Sequence, residues 1–246
     1  MIKNKKTNRN LAVEVKNVTK TYMLRHEKPT LIESLLYRSK NEKHVALKDI
    51  SFSIFKGDRL GIIGSNGSGK TTLLKLLAGI TKQQKGNIKM NGRVVSLIDL
   101  SAGFHPDLTG EENIFLNGLV IGMNKDEIES KKKSIVKFAD IGKFIDAPLY
   151  TYSTGMQLRL GFSIAVHSDP DILLLDEGFA FGDEDFREKA NKKISEYRRK
   201  KKTLIIVSHW LFELERNCNK ILWLERGEII EYGNKGLLNK YRKSFE

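Results

Sequence analysis

The sequence predicts an α/β fold built on a parallel sheet, with a helical lobe inserted between its strands. A glycine-rich stretch at residues 64–72, GSNGSGKTT, follows an apolar strand pattern and precedes the helical pattern LLKLLAG. Short continuous apolar runs at 172–176 and 203–207 are typical of buried parallel strands. Residues 100–167, by contrast, have a mostly helical pattern. The order of these segments places the lobe between two halves of one core.

The glycine-rich stretch has the GxxxxGK[ST] pattern of a phosphate-binding loop, in the strand–turn–helix setting that this motif requires. Its glycines allow a close backbone approach, and its amides and the helix N-terminus would hold a polyphosphate. Lys70 is expected to reach the β and γ phosphates, and the Thr71 hydroxyl to ligate Mg²⁺. The candidate nucleotide ligands are Gly64, Ser65, Asn66, Gly67, Ser68, Gly69, Lys70, Thr71 and Thr72. The alternative is a loop that only connects a strand to a helix.

Length and composition fit a soluble globular protein. The 246 residues are enough for one large domain, 40% of them hydrophobic and 30% charged, and no apolar run approaches the roughly 20 residues of a membrane span. The basic N-terminal residues lack the apolar region of a secretory signal, which predicts a cytoplasmic location. Cys218 is the only cysteine, which excludes an internal disulfide framework and a Cys-built metal site.

The net charge of +13 permits a nucleic-acid partner or an anionic membrane surface. Much of this charge lies in short runs that are typical of solvated helix faces or tails. The sequence has no RNA-binding aromatic motif, zinc-finger spacing or recognition helix. The basic balance alone therefore selects no partner.

Alternation of apolar and polar residues at 11–22 predicts a half-buried strand that ends at Tyr22. This aromatic either stacks on a purine or lies at the rim of the core. Residues 23–44 interrupt the sheet with a charged segment, which is either a membrane-side contact or a surface excursion. The strand pattern resumes at 45–55 and 59–63.

The remaining elements follow from periodicity and turn residues. A hairpin is predicted from strands at 87–90 and 94–98 around Asn91-Gly92, and a second one from 220–224 and 228–232 around Arg226-Gly227. Helices are predicted at 70–79, 110–119, 125–139, 155–166 and 184–202, with a short terminal helix that contains Leu237 and Leu238.

Two carboxylates follow the buried strand pattern ILLL at 172–175. Ligands of open α/β sheets collect at the carboxyl ends of such strands. Asp176 can hold Mg²⁺ through water, and Glu177 can polarise the water that attacks a γ phosphate. The alternative is a turn at the end of a strand.

The stretch YSTGMQLRLGFSIA at 152–165 begins an amphipathic helix with Ser153 and Gly155, so a hydroxyl and free amides can face another phosphate. Together with the glycine-rich loop, ILLLDE and VSH at 207–209, this stretch resembles the signature helix of ATP-binding cassette (ABC) proteins. The resemblance extends over about 11–233. It implies a P-loop NTPase (RecA-like) core with an antiparallel β subdomain and an inserted α-helical subdomain.

The resemblance also assigns residues. It implies that Tyr22 stacks on adenine, that Asp183 is the aspartate of the loop after the catalytic glutamate, and that His209 is the switch histidine at the γ phosphate. ATP and Mg²⁺ are the implied ligands, with Glu177, His209 and Lys70 as catalytic residues. The implied core occupies about 11–99 and 168–233, the helical subdomain about 100–167, and a short helix 234–246.

The sequence departs from the family pattern in two places. Relatives usually carry a Mg²⁺-sensing glutamine near residue 98, where this chain has IDLSAG, and Asp99 is the nearest polar candidate. Met156 replaces the signature glutamine, which leaves Ser153 and Gly155 as the expected phosphate contacts.

Within the family, the chain resembles the ATPase subunits of bacterial polysaccharide exporters. Three features support this: YSTGM in place of LSGGQ, the run AGFHPDLTGEENI at 102–114, and the insertion after Tyr22. The resemblance implies a homodimer at the cytoplasmic face of the inner membrane, bound to two copies of an integral membrane permease that handles a lipid-linked glycan. No nucleic-acid partner is expected, and the chain resembles the short type without a carbohydrate-binding domain.

Three other functions stay open at this point. The chain can serve an importer or a different exporter, or act as a soluble cassette protein on ribosomes or DNA. It can also hold ATP without hydrolysing it, although the presence of Lys70, Asp176, Glu177 and His209 disfavours that function.

Overall fold

The computed structural model describes residues 10–24, 42–98, 103–176, 183–208 and 210–244. The strands are β1 (Leu11–Leu24), β2 (Glu42–Phe55), β3 (Arg59–Ile63), β4 (Lys85–Met90), β5 (Val94–Ser96), β6 (Ile172–Leu175), β7 (Thr203–Val207), β8 (Lys220–Glu225) and β9 (Glu228–Asn234). The helices are α1 (Lys70–Leu77), α2 (Gly110–Val120), α3 (Lys125–Ala139), α4 (Thr154–His167), α5 (Glu184–Arg199), α6 (Leu211–Asn217) and α7 (Leu237–Lys243), with short 3₁₀ helices at Gly142–Asp146 and Leu149–Thr151. Within these described residues, no helix has the length and apolarity needed to cross a membrane.

The central sheet has six strands in the order β5-β6-β7-β3-β8-β9, all parallel except β9. Its β6, β7 and β3 strands are apolar and almost fully buried, as expected for a sheet covered on both faces. Parallel pairing aligns Leu175 with Ile206 and Val207 with Ile62. The carboxyl ends of these three strands therefore lie at one edge of the sheet.

A second sheet, antiparallel with the order β2-β1-β4, covers one face of the central sheet. Apolar side chains from both sheets and from α1 form one buried cluster, which includes Val13, Ile54, Leu60 and Leu74. The alternation seen in the first strand of the sequence thus places its apolar side chains in this core.

The opposite face of the central sheet packs against α4, α5 and α7. The apolar residues of α4 belong to two different cores. Phe162 and Val166 pack in the cluster against the central sheet, whereas Leu160 and Ile164 pack with α2 and α3 in the lobe. One helix therefore connects the lobe to the sheet.

The hairpin predicted around Asn91-Gly92 is wrong. β4 pairs with β1, where Met90 lies opposite Val13, and β5 pairs with β6, where Val94 lies opposite Ile172. The Asn91 side chain donates to the carbonyl of Leu11 (3.0 Å), and Gly92 has a φ of +117°. The turn carries the chain from one sheet to the other, because β4 and β5 pair with strands of different sheets.

The hairpin predicted around Arg226-Gly227 is confirmed, since β8 and β9 pair antiparallel. Both turn residues have positive φ, 48° and 77°, as a type I′ turn requires. The helix predicted to end at residue 202 ends at Arg199, because Lys201 takes a left-handed φ of 54°. The seven-residue α6 was not predicted; it has no side-chain cap to mark its start.

Candidate functional site

The glycine-rich loop connects β3 to α1 at the carboxyl edge of the central sheet. Gly69 caps α1 with a φ of +106°, and Gly64 has a φ of +149°. A Cβ on Gly64 would lie 2.0 Å from the carbonyl oxygen of Leu224, and one on Gly69 would lie 2.7 Å from that of Ala46. Glycine is therefore required at both positions by conformation and by the close approach of β2 and β8.

The lysine of this loop is buried inside it. Lys70 is 6% exposed, and its ammonium donates to the carbonyl oxygens of Gly64 (2.9 Å) and Ser65 (3.0 Å). The hydroxyl of Ser68 is also buried and has no hydrogen-bond partner among the described residues. Because the helix N-terminus adds partial positive charge, this loop is suited to an anion.

Two residues outside the sequence motifs, Glu225 and Tyr241, form hydrogen bonds with the loop. Ser65 Oγ donates to Glu225 Oε1 (2.6 Å), which lies 160 residues further along the chain at the end of β8. Burial and then the charge of Glu225 raise the pKa of the Tyr241 hydroxyl on α7, whereas a hydrogen bond from the backbone of Gly64 lowers it by less. No local pattern marks either residue, since the packing of β8 and of α7 beside the loop brings them there.

An open pocket of about 280 Å³ lies above the loop. Its lining is shared by the loop and by the ends of β1 and β2, where Tyr22 lies opposite His44 in the ladder. Tyr22 is 37% exposed. Tyr22, which the sequence predicts to end the first strand, is thus a pocket-lining residue beside the candidate phosphate site.

The acidic residues are described only in part. Asp176 is half-buried and directly follows β6. Only β7 separates β6 from β3 in the sheet, so Asp176 lies at the same edge as the loop. Thr71 is exposed on the first turn of α1. Glu177, His209 and Asp99 lie outside the described residues.

The second candidate phosphate contact is at the start of α4. Ser153 is the N-cap of this helix, and its Oγ accepts from the amide of Met156 (3.2 Å). Ser153 is exposed, and a Cβ on Gly155 would meet only Ser153 Oγ, at 3.8 Å. Neither residue is among those that line the pocket above the loop. Among the described residues, the lining of this pocket therefore includes only the first of the two candidate phosphate contacts.

Asp183 caps α5 and lies next to α4. Its Oδ1 accepts from the amide of Phe186 (2.9 Å), and its Oδ2 lies 3.6 Å from the guanidinium of Arg159 on α4. This aspartate therefore connects the start of α5 to α4.

The lobe carries a groove of about 610 Å³ between α2 and α3. Its floor is apolar, with Phe115, Leu119 and Ile128, and its rim includes Glu111 and Lys132, which form an ion pair at 2.8 Å. No local sequence pattern marks this groove, because its two sides come from separate helices.

Comparison with known proteins identifies the family. A family model described as "ABC transporter" matches residues 47–180, more than half of the chain. The chain therefore belongs to the ABC transporter family and is an ATP-binding, ATP-hydrolysing cassette. The fold class predicted from the sequence is confirmed.

Its relatives narrow the class further. The chain is 40% identical to the O-antigen export system ATP-binding protein RfbB of Klebsiella pneumoniae, over 90% of this chain and 93% of that protein. It is 42% identical to RfbB of Myxococcus xanthus and 43% identical to the teichoic acids export ATP-binding protein TagH of Bacillus anthracis. The matches cover 90% and 94% of this chain, but only 53% and 42% of those two relatives.

Solved structures agree on the fold. A dimeric ATP-binding cassette in a post-hydrolysis state, bound to ADP and Pi, has a TM-score of 0.71 at 23% identity and covers 91% of this chain and 98% of its own. An ATP-binding subunit of an ABC transporter has a TM-score of 0.72 at 21% identity, covering 95% of this chain and 93% of its own.

Proposed function

We propose that this chain is the ATP-hydrolysing subunit of a membrane exporter that moves a lipid-linked polysaccharide, such as an O-antigen, a capsule or a teichoic acid, across the cytoplasmic membrane. The observation that carries this proposal is the similarity to RfbB of Klebsiella pneumoniae, which extends over nearly the whole length of both chains. An ATPase subunit of another ABC transporter is the alternative, because the cassette itself has no need to touch the transported molecule.

ATP would bind with its phosphates on the loop and its base near Tyr22. The buried ammonium of Lys70 favours a polyanion in the loop, as does the buried Ser68 hydroxyl, which has no hydrogen-bond partner among the described residues. Thr71 and Asp176 supply the oxygen ligands that Mg²⁺ prefers, at the same edge of the sheet, and Asp99 is a further candidate. When bound, Mg²⁺ would neutralise phosphate charge.

The chemistry would then need a positioned water and a stabilised γ phosphate. In our proposal Glu177 orients and polarises the attacking water, and His209 contacts the γ phosphate. Lys70 would stabilise the charge that develops on the transferred phosphoryl group. The proposed division into a core at 11–99 and 168–233 and a helical subdomain at 100–167 places these groups in the core.

A second copy of the chain would complete the site. Ser153 is exposed and does not line the pocket above its own loop, so its hydroxyl and the first amides of α4 are open to another molecule. A head-to-tail homodimer would place Ser153 and Gly155 of each copy on the ATP of the other. ATP would close these two composite sites, and hydrolysis would open them.

The membrane partner would dock on the lobe. We place an integral membrane permease, in two copies, near residues 100–113 and the adjoining groove between α2 and α3. The apolar floor and charged rim of the groove suit a short amphipathic segment of that partner. The cassette itself would be peripheral, at the cytoplasmic face of the membrane, and the permease would handle the glycan.

The site assignment is tested with Glu177→Gln. We expect this variant to lose ATP hydrolysis about 100-fold or more while it still binds ATP and forms a stable dimer with it. Glu188→Gln, an exposed carboxylate on α5, is the control and should hydrolyse ATP at the normal rate. Normal turnover by Glu177→Gln, or a protein that stays monomeric with ATP bound, would contradict the assignment.

The transport role is tested by isolating the complex from membranes. We expect a membrane subunit and a lipid-linked sugar to accompany the cassette. A permease for another class of molecule would support the alternative transporter. ATPase activity stimulated by ribosomes, with salt-sensitive RNA binding, would instead support a soluble cassette protein.

A further inference from the structure

A buried lysine lies behind the pocket, on the strand that ends at Tyr22. Lys20 is 8% exposed, although it occupies β1 only two residues before an exposed tyrosine. Burying a charged ammonium is costly unless it finds partners. The contacts of Lys20 therefore indicate what its charge is used for.

The Lys20 ammonium has three partners. It donates to Thr81 Oγ1 (2.8 Å) and to the backbone carbonyl of Lys82 (2.8 Å), both in the segment that follows α1. It also lies 4.9 Å from the centroid of the Tyr22 ring, within the range of a cation–π interaction. Lys20 and Tyr22 both lie on β1, where the register against β2 shifts between Lys20 and Thr21.

The Tyr22 ring thus has one face against a fixed cation while the residue lines the pocket above the phosphate loop. A base that stacks on the free face needs a ring that does not rotate away. Lys20 supplies this restraint and also ties the ring to the chain directly after the helix of the phosphate loop.

We propose that Lys20 is a positioning residue, which fixes the Tyr22 ring as the platform for the base of the nucleotide and sets its distance from the phosphate loop. This inference rests on the ATP site proposed above. Lys20 itself would touch neither the base nor the phosphates. Its effect should therefore appear only with ligands that have a base.

The experiment compares ATP with inorganic tripolyphosphate on the full chain. We expect Lys20→Met to weaken ATP binding and raise the KM for ATP about three- to tenfold, with kcat within twofold, because one partly buried cation–π contact is lost. The affinity for tripolyphosphate should stay within twofold of the wild-type value. Lys16→Met, an exposed lysine on the same strand that pairs with Glu14, is the matched control and should change neither.

A double-mutant cycle tests whether Lys20 affects ATP binding through Tyr22. In a Tyr22→Ala background, which has lost the platform, Lys20→Met should have no further effect on ATP affinity. Tyr22→Phe keeps the ring and should keep the effect of Lys20→Met. Lys20→Arg keeps the cation and should stay within about twofold of wild type, which covers the case in which Lys20→Met folds poorly.

The proposal is overturned if Lys20→Met loses affinity for ATP and for tripolyphosphate equally, since Lys20 would then act on the phosphate loop itself. If Lys20→Met does not fold, equal losses of affinity in Lys20→Arg have the same meaning. Additive losses in the double-mutant cycle would overturn it as well. A wild-type chain that binds tripolyphosphate but not ATP would contradict the proposed ATP site instead. Normal ATP affinity in Tyr22→Ala would show that the base does not stack on Tyr22, and the proposed role of Lys20 would then be wrong.

Discussion

The first turns of α1 and α4 are the two proposed phosphate contacts, but they are built differently. At α1 the cap is a glycine with no side-chain hydrogen bond, and the adjoining Lys70 is buried and held by loop carbonyls. At α4 the cap is Ser153, whose exposed hydroxyl holds the amide of Met156. In the proposed site, the first turn would hold the phosphates within one chain, whereas the second would reach them only across a dimer.

Packing explains this difference. The α1 loop is enclosed by two neighbouring strands, because Gly64 and Gly69 approach the carbonyls of Leu224 and Ala46 too closely for any side chain. The start of α4 has its own core beneath it, where Tyr152 and Leu160 are buried, but the described residues add no cover above it. Substitutions at the two turns should therefore separate binding by one chain from turnover by a pair.

The largest effect is expected at α1. Lys70→Ala removes the only ammonium held inside the loop among the described residues, so ATPase activity should fall about 100-fold or more. ATP binding by the single chain should weaken as well, because the phosphates lose a charge-assisted contact. Measured turnover and calorimetric binding check both expectations, with Lys75→Ala on the last turn of the same helix as control. Unchanged binding would show that the phosphates lie elsewhere.

A smaller and different effect is expected at α4. Ser153→Ala should reduce ATPase activity about tenfold while ATP binding by the single chain stays unchanged. The loss of the cap should also lower the free energy of unfolding by about 1 kcal/mol. Activity assays, ATP titrations and thermal unfolding of the same preparation measure the three quantities.

Ser153→Asp separates the two roles of this serine. Aspartate is as good an N-cap as serine, so stability should be kept, but its charge would repel a γ phosphate. We therefore expect normal unfolding and an ATPase rate at least as low as that of Ser153→Ala. Full activity in Ser153→Asp would contradict a phosphate contact at this position.

The sequence was sufficient for features that depend on neighbouring residues. The phosphate loop, the buried β6 and β7 strands and the cap of α4 follow from motifs within a few residues, and the structure places them as predicted. Features that depend on strand order were not predictable. Glu225 reaches Ser65 across 160 residues, and Asn91-Gly92 has a good hairpin sequence but joins two sheets.

The connection between the lobe and the central sheet also depends on residues that are far apart in the sequence. Arg93 lies next to β5, and its guanidinium donates to both carboxylate oxygens of Glu127 on α3 of the lobe, at 2.9 and 3.0 Å. Lys131 adds a third hydrogen bond at 2.7 Å, and Arg93 also donates to the carbonyl of Ser168. A bidentate pair of this kind fixes the angle at which the lobe, and with it α4, meets the core.

The last effect expected is on stability alone, and it concerns this connection and its pH dependence. Hydrogen bonds from Arg93 and then Lys131 lower the pKa of Glu127 to about 2, from an ordinary value of 4.5. A carboxylate with a lowered pKa stabilises the fold fully above about pH 4.5, and this contribution disappears as the pH falls towards 2.

Glu127→Gln should therefore reduce the free energy of unfolding by roughly 1 to 2 kcal/mol at pH 7 and by progressively less below pH 4.5. Glu129→Gln, an exposed carboxylate on the same helix, should change it by less than about 0.5 kcal/mol at either pH. Denaturant unfolding of the three proteins between pH 7 and pH 3 gives these values. A Glu127→Gln difference that is the same at pH 3 and at pH 7 would show that the charge of Glu127 does not hold the lobe to the core.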